Sequence, residues 1–176
     1  VLGDEALSVA SATGVNLDYL QLNNLPTSRV LISLDNEGVP QYEIVENVAW
    51  DALECPQMIL DLVKDASVMC WGSLAQRSVT SRQSVLAMLS AAPKECVKVF
   101  DINIRQHYYS REVIETSLGY ADILKLNEDE LPLVASILGL SGPEHDVVSQ
   151  LIEKYALKYL VYTHGADFSE VFSATG

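Results

Sequence analysis

The chain has 176 residues, 49% hydrophobic and 20% charged, which is length enough for one domain with a real core. Its net charge of −13 argues against nucleic acid or an anionic membrane as partner. A bound phosphate would therefore need local help from a metal, backbone N–H groups or a few cations.

In chain order, residues 4–13 pattern as a short helix ended by Gly14. Residues 27–34 alternate weakly, with Val30, Ile32 and Leu34 on one face. Asp35-Asn36-Glu37-Gly38 is a turn cluster, and residues 41–45 form a second strand candidate. Two strands around an Asx/Gly turn predict a β-hairpin, set apart from the rest of the chain as a small separate sheet. From residue 66 strands and helices alternate. Strands are predicted at 66–71, 97–104, 121–126 and 159–162, and helices at 81–89, 111–118, 131–138 and 144–156. This rhythm predicts an α/β domain with a parallel sheet. Cys55, Cys70 and Cys96 are widely spaced and form no C-x-x-C pair, which suits a reduced, cytoplasmic setting. Cys70, in an apolar run, is expected to be buried. No apolar run reaches the length of a membrane span, and no signal peptide is visible. The opening at Val1 and the close just after a strand predict a piece of a longer protein.

Three stretches carry groups able to do chemistry. In Lys125-Leu126-Asn127-Glu128-Asp129-Glu130 an amide and three carboxylates sit where a strand turns into a helix. Ligands of open parallel sheets bind outside the carboxyl ends of the strands. Asn127 with Glu130 three residues on reads as a capping box. The sharper reading, which does not exclude the cap, is a magnesium and phosphate site, in which carboxylates hold the metal together with substrate phosphates. Pro132 allows the helix to start later than a cap at Asn127 implies. In Phe100-Asp101-Ile102-Asn103-Ile104-Arg105 the polar groups recur at i, i+2 and i+4, so a continuous strand would put Asp101, Asn103 and Arg105 on one face. They would either bind hydroxyls and an anion at a crevice or form a solvated strand end with Arg105 paired to Asp101. Thr163-His164-Gly165-Ala166 suits close approach of a phosphate to backbone N–H groups, or is an ordinary tight turn. His107, His145 and His164 have no nucleophile or metal-ligand partner nearby in sequence. The chain lacks G-x-x-x-x-G-K-S/T, G-x-G-x-x-G, a G-x-S-x-G elbow and zinc-ligand spacing, which removes P-loop, dinucleotide, α/β-hydrolase and zinc readings.

Together these stretches resemble the PfkB (ribokinase-like) family of carbohydrate kinases, most closely its fructokinase-like members. The strand at 100–105 looks like the family's D-x-N-x-R segment. Residues 121–130 look like its A-D-I-L-K-x-N-x-x-E segment, Thr163-His164-Gly165-Ala166 like its T-x-G-A turn, and Trp71-Gly72-Ser73-Leu74 like its G-S-L turn. Residues 2–7, Pro26-Thr27 and Ala49-Trp50-Asp51 fit the fructokinase-like pattern too. The resemblance implies a three-layer ribokinase-like α/β fold with a parallel-rich central sheet and a small β lid. Residues 1–26 and 47–176 would belong to the kinase core and 27–46 to the lid. It implies transfer of the γ-phosphoryl group of MgATP to a sugar hydroxyl, with ATP, Mg²⁺ and a monovalent cation as cofactors. Asn127, Glu130, Lys125, Thr163 and Gly165 would serve nucleotide and phosphates, with Glu130 reaching magnesium through water. Asp101, Asn103, Arg105, Gly72 and Ser73 would face the sugar. Ribokinase-like and 2-keto-3-deoxygluconate kinase specificities are the alternatives within the family. A non-catalytic sugar- or nucleotide-binding module on the same fold is the alternative outside it. The family's G-A-G-D segment, which carries the catalytic aspartate at a helix N-terminus, is not in these residues, so no catalytic base is assigned and the base is expected downstream. Exposed edges of the hairpin predict a homodimer through it.

Overall fold

A computed structural model describes residues 2–175. Helix α1 (Leu2–Ala12) precedes a hairpin of β1 (Val30–Leu34) and β2 (Pro40–Ile44). The two strands pair antiparallel as a separate two-stranded sheet. Asp35 sets the turn: its Oδ1 accepts the N–H groups of Glu37 at 2.9 Å and Val39 at 2.8 Å. A 3-10 turn (Ala49–Ala52) and helix α2 (Gln57–Val63) lead into the main sheet. Then come β3 (Val68–Trp71), α3 (Val79–Ala91), β4 (Val97–Asp101), α4 (Arg111–Tyr120), β5 (Ile123–Asn127), α5 (Glu130–Leu138), α6 (Glu144–Tyr155), β6 (Tyr159–His164) and β7 (Phe168–Ser173). The sheet order is β3-β4-β5-β6-β7, with the first four strands parallel and β7 antiparallel to β6.

Local chemistry sets the helix ends. Ser78 caps α3 by accepting the Ser81 N–H, and Ser110 caps α4 by accepting the Val113 N–H. Helix α5 ends at Gly139 in the left-handed region, where glycine carries no steric cost. Along the strands Trp71, Phe100, Leu124, Leu126, Leu160 and Tyr162 are buried and alternate with less buried residues, so one face of the sheet packs. Ile114 and Leu118 of α4, Leu131 and Val134 of α5, and Val148 and Leu151 of α6 close the same core.

Three expectations change. Cys70 is exposed rather than buried, because it points to the opposite face of β3 from Trp71; the buried cysteine is Cys96. The predicted strand over 97–104 stops at Asp101. Beyond the last predicted strand a further one, β7, folds back; Phe168 and Val171 on it are exposed, so its sequence has no clean inside–outside alternation.

Candidate functional site

The carboxyl ends of β3, β4, β5 and β6 lie along one edge of the sheet, and the three sequence stretches meet there. Register places Asp101 beside Lys125 and Asn127 beside Thr163. Lys125 Nζ lies 3.0 Å from Asp101 Oδ1, an ion pair across the two strand ends. The alternative pairing of Asp101 with Arg105 does not form. Ile102 still donates to the Lys125 carbonyl at 3.1 Å. Asn103 then takes φ +41° and Gln106 φ +50°, so the i, i+2, i+4 face breaks after Asp101. Asn tolerates the left-handed region better than most side chains. Asn103 lines a cavity, whereas Arg105 is exposed.

The Asn127–Glu130 turn forms the reciprocal capping box. Asn127 Oδ1 accepts the N–H groups of Glu130 at 2.9 Å and Asp129 at 3.0 Å. Glu130 Oε2 accepts the Asn127 N–H at 2.9 Å. Helix α5 begins at Glu130, so Pro132 falls in its first turn, where an N–H is not needed. One further bond has no sequence signature. Glu130 Oε1 accepts the N–H of Ile104 at 2.7 Å, tying the loop after β4 to the turn after β5. Glu130 is only 6% exposed, so its carboxylate is a brace between two loops.

Gly72 sits where β3 meets the end of β4: a Cβ there would stand 3.0 Å from the Asp101 carbonyl oxygen. Ser73 is fully buried, and its N–H donates to the Ile102 carbonyl at 3.1 Å. Thr163 Oγ1 reaches back to the Leu126 carbonyl at 3.5 Å. Gly165, with φ +53°, is exposed in a tight hairpin turn between β6 and β7. His164 gains the partners its sequence neighbourhood did not show. Nδ1 lies 3.1 Å from Glu128 Oε2, and Nε2 3.2 Å from Glu170 Oε2, across the hairpin. Its ring stacks on Phe168 with centroids 4.2 Å apart. Beneath it, burial and the nearby carboxylates of Glu144, Glu128 and Glu170 push the Tyr162 hydroxyl up to about 12.

Two cavities adjoin this edge. One of about 290 Å³ is lined by Trp50, Gly72, Leu74, Ala75 and Asn103. A larger one of about 480 Å³ is bordered by Arg77, Arg82 and residues 107–110 and holds none of the predicted site residues. Its lining includes a buried ion pair. Arg77 Nε and Nη2 donate to the two oxygens of Asp51, each at 2.7 Å, and Nη2 also donates to the Val45 carbonyl at 2.7 Å. The guanidinium lies 3.9 Å above the Trp50 ring and 4.7 Å from that of Tyr108. Burial pushes the Asp51 carboxyl up, but its bonds to Arg77 and to the Val48 N–H outweigh this and hold it below the ordinary carboxylate range. Trp50 and Asp51 fall within the fructokinase-like pattern; nothing in the sequence singles out Arg77.

No group of three or more His, Cys, Asp and Glu side chains able to hold a metal occurs among the described residues. Each Glu130 oxygen already accepts one backbone N–H group. Each oxygen keeps a lone pair, which fits a metal-bound water.

Residues 1–175 match the family model described as pfkB family carbohydrate kinase. An uncharacterized sugar kinase of Pyrococcus horikoshii is 26% identical over 98 residues, covering 52% of this chain and 32% of the relative. Among solved structures, fructokinase with bound ATP from Xylella fastidiosa superposes with a TM-score of 0.83 at 20% identity, covering 99% of this chain and 55% of that one. Aminoimidazole riboside kinase from Salmonella enterica, complexed with aminoimidazole riboside and an ATP analog, gives 0.78 at 19%, covering 99% and 57%. The chain thus spans about a third of the curated relative and little more than half of each of these two structures. The four matched strand-end segments, the mostly parallel sheet and the family match agree, and the chain belongs to the pfkB family of carbohydrate kinases.

Proposed function

We propose that the intact protein transfers the γ-phosphoryl group of MgATP to a sugar hydroxyl, with fructokinase-like specificity. The observation that carries this reading is the meeting of Gly72, Asp101, Lys125, Asn127, Glu130 and Thr163 along one strand edge of a pfkB-family chain. Phosphoryl transfer asks little covalent chemistry of a protein; it asks for positioning and charge stabilisation. On this reading Lys125, Thr163 and the exposed Gly165 turn serve the nucleotide phosphates. Asn127 and Glu130 fix the turn after β5 beside the phosphates, and Glu130 orders a water of the magnesium that arrives with ATP. Gly72 and Asn103 face the sugar, with Ser73 beneath them and Asp101 holding Lys125. Arg105, exposed beyond the strand end, reaches the site only when a ligand draws it in. The base is an aspartate outside these residues. The fructokinases and the riboside kinase with related folds were solved with sugar or riboside, ATP, ADP or ATP analog, and potassium or calcium, which supports the class of substrate and the need for cations. The free state of all three cysteines agrees with a cytoplasmic setting.

A coupled ATP-consumption assay on the intact protein tests this, with fructose, ribose, 2-keto-3-deoxygluconate and adenosine, with and without Mg²⁺. Magnesium-dependent turnover with fructose is expected. Turnover with ribose or 2-keto-3-deoxygluconate instead moves the specificity within the family. A folded protein that binds ATP and turns over none of them is a binding module. On the same reading the hairpin is the lid. Its exposed Val30, Leu31, Ile32 and Leu34 support pairing with a second copy, and light scattering that finds only monomer at micromolar concentration refutes that pairing.

A further inference from the structure

The loop after β4 is tied at both ends. On one side the Ile104 N–H donates to Glu130 Oε1 at 2.7 Å, which fixes the loop to the turn after β5. On the other side it reaches the hairpin. Gln106 Nε2 donates to the Tyr42 carbonyl at 2.6 Å, and Tyr108 Oη donates to the Ile44 carbonyl at 3.1 Å. The match of spacings follows from the ladder. The Asp35 N–H donates to the Val39 carbonyl and the Val45 N–H to the Arg29 carbonyl, so the carbonyls of Tyr42 and Ile44 point away from β1. Alternate side chains of the loop therefore take alternate carbonyls on the free edge of β2. Between the ties lies a turn in which the Tyr108 N–H donates to the Arg105 carbonyl at 3.1 Å. Gln106 within it is left-handed at φ +50°, and Asn103 just before it at φ +41°. That conformation costs a non-glycine residue free energy and persists only where contacts hold it.

We propose that Gln106 and Tyr108 are positioning residues: through them the hairpin holds the turn that carries Arg105, and so sets how readily Arg105 meets a bound substrate. The inference rests on the kinase reading above, in which Arg105 belongs to the substrate site. Arg105 is exposed and opens the turn, so the two ties fix its backbone and leave the side chain to travel. A loop that holds its binding arrangement only part of the time binds with an affinity reduced by that fraction. Cutting the ties lowers the fraction without removing a group that touches the substrate. The hairpin itself stays attached. Arg77 Nη2 donates to the Val45 carbonyl at 2.7 Å, and the Ala49 N–H to the Pro26 carbonyl at 2.8 Å.

The test combines Gln106→Ala and Tyr108→Phe in the intact protein. Alanine removes the amide without adding the backbone freedom of glycine, and phenylalanine keeps the ring that lies 4.7 Å from the Arg77 guanidinium. The sugar KM is expected to rise about fivefold or more with the ATP KM within about twofold. On an Arg105→Ala background the same two changes are expected to move the sugar KM by less than about twofold, because the side chain they position is gone. An unchanged sugar KM in the folded double variant overturns the proposal. So does the full effect persisting on the Arg105→Ala background, which puts their action elsewhere. If the double variant does not fold, Tyr108→Phe alone takes its place in the same cycle, with an expected rise of about threefold. If wild type consumes no ATP with any sugar, the kinase reading fails separately. Hydrogen exchange in the ligand-free protein then decides the tie: a Tyr108 amide that exchanges about tenfold faster in the variant supports it, and unchanged exchange overturns it.

Discussion

Glu130→Gln separates what the N-x-x-E turn does for the fold from what it does for a ligand. By capping-box logic alone the change is mild, since glutamine also serves at that position. The structure predicts otherwise. The two carboxylate oxygens accept from different loops, Oε1 from Ile104 at 2.7 Å and Oε2 from Asn127 at 2.9 Å, in a side chain that is nearly buried. Glutamine keeps one oxygen and turns an NH₂ group toward the other N–H. A charge-assisted bond worth about 1.5–3 kcal/mol is lost, and the surviving bond becomes neutral, so the total cost is about 2–4 kcal/mol. Urea unfolding of the intact protein, followed by far-UV circular dichroism, measures it as a lower midpoint at unchanged slope. Hydrogen exchange should show the Ile104 or Asn127 amide losing protection first. A variant within about 0.5 kcal/mol of wild type would falsify the brace. Magnesium titration of the folded variant then reads the second role. A weaker Mg²⁺ dependence with slower turnover assigns the carboxylate to the metal's water, and unchanged values leave it a brace alone.

Other contacts carry expectations of their own. Asp51→Asn leaves Arg77 buried without its counter-charge and should cost about 3–5 kcal/mol at neutral pH. Because the folded Asp51 carboxyl is held below its ordinary value, its contribution is complete above about pH 4 and is lost as pH falls through the lowered value; the acid limb of wild-type stability should therefore be steeper than that of the variant. Gly72→Ala places a Cβ 3.0 Å from the Asp101 carbonyl and should destabilise by about 1–3 kcal/mol in the same urea assay, with the end of β4 displaced. Ala156→Gly relieves a non-glycine residue at φ +52° at the end of α6 and should stabilise by about 1 kcal/mol, read as a higher urea midpoint.

Much of the main sheet was legible because its strands are short apolar runs separated by helical periodicity, and β3 to β6 appear where that pattern puts them. The hairpin was legible from Asp35 and Gly38. What escaped depends on tertiary partners. Strand β4 ends early because Asn103 turns into the left-handed region, and a D-x-N-x-R spacing looks the same whether the chain continues straight or turns. Strand β7 is held by its ladder to β6 rather than by its own alternation. Cys70 follows from the two-residue period of a strand whose opposite side carries Trp71, and an apolar run hides which side is which. His164 finds Glu128 only once β6 pairs with β5, and Glu170 only once β7 folds back.

Spacing is also better at locating the site than at dividing labour within it. The motifs mark Asn127, Glu130 and Asp101 as ligand residues, yet each directs its polar atoms at a neighbour: two backbone N–H groups, two more, and the Lys125 ammonium. Asn103, Gly72 and Trp50, from segments far apart in sequence, are among the residues that line open space. A group that braces the strand edge changes activity and stability together, whereas a group that only walls the cavity changes substrate affinity in a protein of normal stability. Measured side by side on Glu130 and Asn103, those two signatures distinguish the frame of the site from its surface, a distinction that a motif alone does not contain.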